Sequence, residues 1–128
     1  MFREALEEVL DRCPGLECLV LVGSDGLPIE TVQADEPNVD AEMLAAEIVA
    51  LAQAARENHR EFGAERLRSV TIDSSSHSVL LVEVIEDVYL VGAVARRQAG
   101  NLGLARARFE MRRAKLALAP ILIPAHSL

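Results

Sequence analysis

The feature that most constrains this chain is an alanine-rich stretch from Asp40 to Phe62, which has helical periodicity throughout. The Asp40 carboxylate is placed to cap its first turn, and Gly63 is placed to end it. At about 100° per residue, one apolar stripe falls on a single side of the helix and is expected to face the core. That stripe consists of Leu44, Ile48, Leu51, Ala55 and Phe62.

The same helix carries a second stripe of mostly small residues, about a third of a turn from the first. It consists of Met43, Ala46, Ala50 and Ala54. A helix with two apolar faces either buries both in its own domain or offers one to another molecule. The pattern leaves both alternatives open. We favour contact with a second chain, because 128 residues provide too little chain for another covering layer.

The length of 128 residues fits one domain, and the near absence of aromatic residues predicts a core of Leu, Val, Ile and Ala. We expect a single domain over residues 1–118 and a loose tail over residues 119–128, since Pro120 and Pro124 should end the last helix. Cys13 and Cys18 have the spacing of neither a redox pair nor a zinc site. We therefore expect them to be small buried residues in a reducing compartment.

The formal net charge of −7 argues against nucleic-acid binding, but the charge is unevenly distributed. Residues 96–115 hold seven basic residues and one acid, a net +6, which leaves −13 for residues 1–95. Such a dipolar surface can orient a partner or a second copy of the chain. Neither a signal peptide nor an 18-residue apolar run is visible, so we expect a cytoplasmic protein without membrane insertion.

The remaining periodicities predict the order α-ββ-α-βββ-α. The expected architecture is an α+β sandwich, in which a five-stranded antiparallel sheet carries the long helix on one face and both terminal helices on the other. The strand over residues 66–73 has few apolar residues and is expected at an edge. The other elements are a helix over 2–12, strands over 17–23, 27–32, 77–86 and 88–95, and a helix from Leu102 to about Leu118. The last helix is expected to face the core with Leu102, Ala105, Phe109 and Leu116.

Motifs for catalysis, cofactors or metals are absent from the sequence. It contains no phosphate-binding loop, dinucleotide-binding glycine motif or nucleophile elbow, and its three histidines are scattered. Ser74–Ser76 beside His77 are interpreted as a hairpin turn rather than part of a catalytic triad. One arginine of the last helix, Arg106 or Arg112, could act as an arginine finger that stabilises phosphoryl transfer in a partner. Most arginines of that helix are expected to be solvated or paired with acids.

Four segments together resemble the Roadblock/LC7 family, and more narrowly its bacterial Mgl-B-type regulators of small Ras-like GTPases. They are GSDGLPIE, SVTIDSSSHSVLLVEV, VYLVGAVA and AGNLGLARARFEMRRAKLAL. The resemblance implies the fold derived above and a homodimer in which the long helices pair and the third strands join two sheets. It also implies a protein that binds no nucleotide and accelerates GTP hydrolysis without an arginine finger. The residues that match structural positions of the family are Gly26 and Pro28 in the hairpin, and Asn101, Gly103 and Arg106 in the last helix.

These observations lead to the hypothesis of a non-enzymatic, homodimeric regulator of a small Ras-like GTPase, with no cofactor. One alternative is a dimeric scaffold or adaptor without effect on GTP turnover, and another is a module that senses a small molecule. The residues expected at the dimer or partner interface are Glu42, Met43, Ala46, Ala50, Gln53 and Ala54 of the long helix, and Arg68, Val70 and Thr71 of the third strand.

Overall fold

The computed structural model describes residues 2–35, 39–58 and 67–126. The order of the elements confirms the predicted α-ββ-α-βββ-α arrangement. The elements are α1 (Phe2–Arg12), β1 (Leu16–Gly23), β2 (Pro28–Gln33), α2 (Ala41–Asn58), β3 (Ser69–Asp73), β4 (His77–Ile85), β5 (Val88–Ala95) and α3 (Arg96–His126).

The five strands form one antiparallel sheet in the order β2-β1-β5-β4-β3. The three central strands are the runs with nearly continuous apolar sequence, because both of their faces are covered. Pro28 opens β2 at one edge, where its missing N–H costs no interstrand hydrogen bond. The polar strand β3 forms the other edge, which confirms both edge predictions.

Alternation along the strands divides the core into two layers. In β1, Leu19 and Leu21 pack into a cluster with residues of α1 and α3. Cys18, Val20 and Val22 point to the opposite face and pack against α2. The long helix therefore lies on one face of the sheet and the terminal helices lie on the other, as predicted.

The cap of α2 is confirmed, because the Met43 N–H donates to Asp40 Oδ1 over 3.2 Å. Its buried face differs from the predicted stripe, since Leu51 is exposed and only part of that stripe is buried. The described helix ends at Asn58, and the predicted core residue Phe62 and terminator Gly63 lie outside the described residues. The buried residues are Ala41, Ala45, Ile48, Val49 and Ala52.

The predicted core stripe of α3 is wrong. Leu102, Ala105, Phe109 and Leu116 are exposed, and the opposite side of the helix faces the sheet. A helix with apolar residues on both sides has no unique orientation, and here the sheet decides it. A Cβ at Gly92 of β5 would lie 3.1 Å from Met111 Sδ, so this glycine admits the Met111 side of α3. The buried residues of α3 include Ala107, Met111, Ala114, Leu118 and Leu122.

Both ends of α3 also differ from the prediction. Helical structure begins at Arg96, within the predicted loop, and is interrupted at Gly100, whose φ of 65° and ψ of −169° are not helical. The helix then runs past Pro120 to His126, where a loose tail was expected. Leu122 is buried in the same cluster as Leu118, and this packing outweighs the hydrogen bond that Pro120 removes. Among the helices described, none has the length and apolar character needed to cross a membrane.

Candidate functional site

The α2 outer face is an exposed apolar surface on the side of the helix opposite its buried residues. The second stripe predicted from sequence is therefore exposed, although it lies about half a turn from the true core rather than a third. Leu51, which was expected inside, extends this surface. We define the α2 outer face as Glu42, Met43, Ala46, Glu47, Ala50, Leu51 and Ala54, all of which are exposed.

The β1–β2 turn lies beside the α2 outer face. The Gln53 side chain is half-buried, and its Nε2 donates to the Ser24 carbonyl over 3.4 Å. Gly26 has a φ of 83°, which favours glycine, and a Cβ there would lie 3.8 Å from the Cβ of Ala46. At the other end of the hairpin, Thr31 Oγ1 donates to Glu42 Oε2 over 3.0 Å. The hairpin is therefore joined to α2 by two hydrogen bonds, and Gly26 lies close to Ala46 of the outer face.

The β3 edge is a second surface. Arg68 and Thr71 are exposed, whereas Val70 is half-buried against the α2 side of the core. Arg68 contributes its carbonyl to the Glu83 N–H over 2.8 Å, and Thr71 Oγ1 accepts from Arg108 Nη2 over 3.2 Å. As an edge strand of the described sheet, β3 pairs with β4 and has no strand on its other side. Because α2 packs chiefly on β1, β2 and β5, the predicted helix and strand residues form two separate surfaces in one chain.

The sequence predicts three structural positions in the last helix, Asn101, Gly103 and Arg106. Asn101 follows directly after the interruption at Gly100, where a helix start was expected, and Gly103 is half-buried. Arg106 Nε donates to the Arg12 carbonyl over 2.9 Å and thereby satisfies an acceptor at the carboxyl end of α1. Arg112, the other candidate arginine finger, is exposed on α3, on the sheet face opposite α2.

Three buried acids, Glu17, Glu83 and Glu110, were missed by the sequence reasoning. Glu17 Oε2 lies 2.9 Å from His77 Nε2 and joins β1 to β4 across β5. Glu110 of α3 lies 3.7 Å from Arg12 Nη1, which joins it to α1. For Glu17, an acid inside an otherwise apolar run was the available signal, since a buried carboxylate requires a partner. Glu110 lies among basic residues and gave no such signal. The partner of Glu17 was hidden because His77 lies 60 positions further along the sequence.

The predicted turn at Ser74–Ser76 is confirmed. Ser74 Oγ donates to the His77 carbonyl and accepts from the His77 N–H, both over 3.1 Å. Ser76 Oγ lies 3.0 Å from His77 Nδ1, so a Ser-His-Glu chain of contacts exists at this hairpin. Ser76 and His77 are neighbours in the turn, and these contacts hold the hairpin to Glu17 of β1.

Both cysteines are buried and have free thiols, in agreement with the prediction that they serve as small core residues. Burial raises the pKa of Cys18 to about 11, and burial followed by the nearby Glu110 carboxylate raises the pKa of Cys13. Both thiols are therefore neutral at physiological pH. Among the described residues, no group of three or more His, Cys, Asp and Glu side chains could hold a metal ion.

A groove of about 390 Å³ runs along β2 and is lined mainly by polar residues. Its charged side chains already have partners: Arg3 Nη2 lies 3.2 Å from Glu30 Oε1, and Glu42 accepts from Thr31. The groove is open to solvent, and the two core layers beneath it are filled by side chains. It does not form the enclosed, polar-lined cavity that the hypothesis of small-molecule sensing requires.

Comparisons with known proteins agree with this geometry. The family profile described as the Roadblock/LC7 domain matches residues 2–95. No curated protein gives a significant sequence match. Several solved structures share the fold at identities of about a fifth. A Roadblock/LC7 domain from Streptomyces avermitilis is 21% identical with a TM-score of 0.79, and the match covers 94% of this chain and 96% of that one.

Two structures of MglB are equally similar. The gliding protein MglB from Thermus thermophilus has a TM-score of 0.82 at 22% identity, with coverage of 94% of this chain and 87% of its own. MglB from Myxococcus xanthus has a TM-score of 0.80 at 18% identity, with coverage of 99% and 96%. The fold, the edge strands and the profile match over three-quarters of the sequence lead to one conclusion: the chain belongs to the Roadblock/LC7 domain family.

Proposed function

We propose that this chain is a non-enzymatic, homodimeric regulator that activates a small Ras-like GTPase. The observation that carries the proposal is the α2 outer face, where apolar side chains are exposed directly opposite the face that α2 buries. Contiguous exposed apolar surface on a small protein marks an interaction site. The Roadblock/LC7 family, to which the chain belongs, is regulatory rather than catalytic.

The dimer uses the α2 outer face and the β3 edge together. Ala46, Ala50 and Ala54 have short side chains, so the helix of a second copy can approach the α2 backbone closely. β3 offers its outer backbone hydrogen-bonding groups to the same strand of that copy, which continues the sheet. Two separate contact regions per chain suit a two-fold interface, because each region meets its own equivalent. A stable interface of standard size needs about 800 Å² from each partner.

The GTPase contacts the platform that the two α2 helices form. Support for this partner comes from the resemblance to Mgl-B-type regulators and from the shared fold of the two MglB structures. In the proposed mechanism the regulator supplies no arginine finger and repositions the GTPase's own catalytic groups. The geometry of Arg106 is consistent with this, because its guanidinium holds the end of α1.

The test is GTP hydrolysis by a purified small Ras-like GTPase from the same organism, with and without the protein in stoichiometric excess. We expect hydrolysis to accelerate with the native protein and to fall to the unstimulated rate with Ala50→Arg. Ala117→Arg is the matched control, because Ala117 is also an exposed helical alanine but lies on α3, on the other side of the sheet. It should stimulate as the native protein does.

Two outcomes contradict the proposal in different ways. If Ala50→Arg still forms dimers and still stimulates hydrolysis, the α2 outer face is not the interface. If the native protein binds the GTPase but changes neither hydrolysis nor nucleotide release, the chain is an adaptor.

A further inference from the structure

A row of large apolar side chains runs along the solvent side of α3, away from the core. Leu102 is 88% exposed, Phe109 64%, Leu116 75% and Ile123 54%. The buried residues of α3, such as Met111 and Leu118, lie on the opposite side of the helix. We call the four exposed residues the α3 seam. None of the surfaces assigned above includes it, since α2 lies on the other face of the sheet.

The seam residues are spaced seven apart along the sequence. A row with this spacing drifts by only about 20° per step around a straight helix, so the four side chains remain nearly in line. The residues three positions after the first, second and third seam residues are Ala105, Arg112 and Ala119. Ala105 is exposed and leaves room between the first two large residues, whereas Ala119 is half-buried and packs against the inner core. The spacing of seven is the pattern of a seam that receives one partner helix with left-handed supercoiling.

Charge identifies the kind of helix that fits. Arg106, Arg112 and Arg113 are exposed beside the seam. Glu110, the one acid between residues 96 and 115, is buried on the inner side, where its Oε1 lies 3.9 Å from Arg113 Nη1 and leaves the Arg113 side chain 58% exposed. A second α3 would bring these arginines against their own equivalents, which disfavours self-pairing. A helix with acidic residues flanking its apolar row would complement them.

A membrane surface fits these features less well. A helix that lies on a bilayer buries a broad apolar face, whereas the seam has one large apolar residue in every seven, with Arg112 on one side and Arg106 and Arg113 on the other. A narrow row bordered by charge is suited to a single opposing helix. We propose that the α3 seam is a docking site for an acidic amphipathic helix of a partner protein. This proposal stands independently of the GTPase, because it rests on α3 alone.

The test uses a synthetic probe of about four heptads, with leucine in the first position of each, alanine in the fourth and glutamates at the flanking positions. Its binding to the full chain is followed by fluorescence anisotropy. We expect saturable binding that weakens at high salt. Binding should weaken at least about tenfold in Phe109→Glu and in Leu116→Glu. Leu27→Glu, at an exposed leucine outside the seam, is the matched control and should bind as the native chain does.

Four results overturn the proposal. The first is no binding of the acidic probe up to about 1 mM, and the second is equal binding of a probe with lysines in place of its glutamates. The third is binding to phosphatidylserine vesicles that Leu116→Glu abolishes, which assigns the seam to a membrane. The fourth is self-association of the native chain beyond a dimer that the same variant abolishes, which assigns the seam to a second copy.

Discussion

Two leucines that lie two residues apart on α3 provide a sharp test of how this helix is oriented. Leu118 is fully buried among side chains of α1, α3 and the sheet, whereas Leu116 is 75% exposed. Replacement of a buried leucine by alanine costs about 2–5 kcal/mol, because buried surface is lost and a cavity remains. At Leu116 about a quarter of the side chain is covered, so the same replacement should cost about 0.5 kcal/mol or less. The higher helix propensity of alanine reduces that loss slightly.

The assay is urea unfolding of Leu116→Ala and Leu118→Ala, followed by circular dichroism. With a mid-range denaturant dependence of about 2 kcal/mol per molar urea, Leu118→Ala should lower the midpoint by about 1–2.5 M. Leu116→Ala should lower it by about 0.3 M or less. A loss above about 1.5 kcal/mol for Leu116→Ala would refute the orientation, since it would place Leu116 in the core. It would also remove the basis for the α3 seam.

Three further predictions follow from single contacts. Gly92→Val should lower stability in urea by about 1–3 kcal/mol, because its side chain would overlap Met111 Sδ; native-like stability would exclude the close approach of α3. Burial raises the pKa of Cys18 from 9.0 to about 11 in the folded state. The neutral buried thiol therefore makes its full contribution to the stability of the fold below pH 9, and this contribution should be lost between pH 9 and 11. The free energy of unfolding, measured in urea at pH 8, 10 and 11, should fall less steeply with pH in Cys18→Ala than in the native chain. The same pH dependence in both proteins would assign the loss of stability to another group. Arg106→Ala should lower the free energy of unfolding by about 0.5–1.5 kcal/mol, because it removes the hydrogen bond to the Arg12 carbonyl, but it should still stimulate GTP hydrolysis. If the variant is folded and no longer stimulates hydrolysis, Arg106 acts as an arginine finger.

The strands were predictable because their local pattern is decisive. β4 and β5 are apolar on both faces and needed two covering layers, whereas Pro28 and the polar β3 could only lie at edges. The positive φ of Gly26 was predicted correctly, because tight turns between two antiparallel strands need a residue with positive φ and glycine adopts it readily.

The orientation of the helices was predictable only in part. α2 and α3 each carry apolar residues on two sides, and periodicity alone does not say which side meets the sheet. For α3 the choice depends on Gly92, a residue of another element, so the exposed Phe109 and Leu116 were assigned to the core. The continuation past Pro120 depends equally on tertiary contacts, through the burial of Leu122.

The candidate site was predictable where it depends on one element and missed where it depends on several. The exposed apolar stripe of α2 follows from the spacing of Met43, Ala46 and Ala50. The contact between Glu17 and His77 joins strands that are separated by β5 in the sheet, and no local pattern encodes it.

The measurement that tests the central claim most directly is the mass of the protein in solution, by size-exclusion chromatography with light scattering. One chain has a mass of 13.9 kDa. If the α2 outer face joins two copies, the native protein and Ala117→Arg should have twice this mass, and Ala50→Arg should have the mass of one chain with its helical content retained. A native protein with the mass of one chain, or an Ala50→Arg variant that remains a dimer, would contradict the assignment of this face.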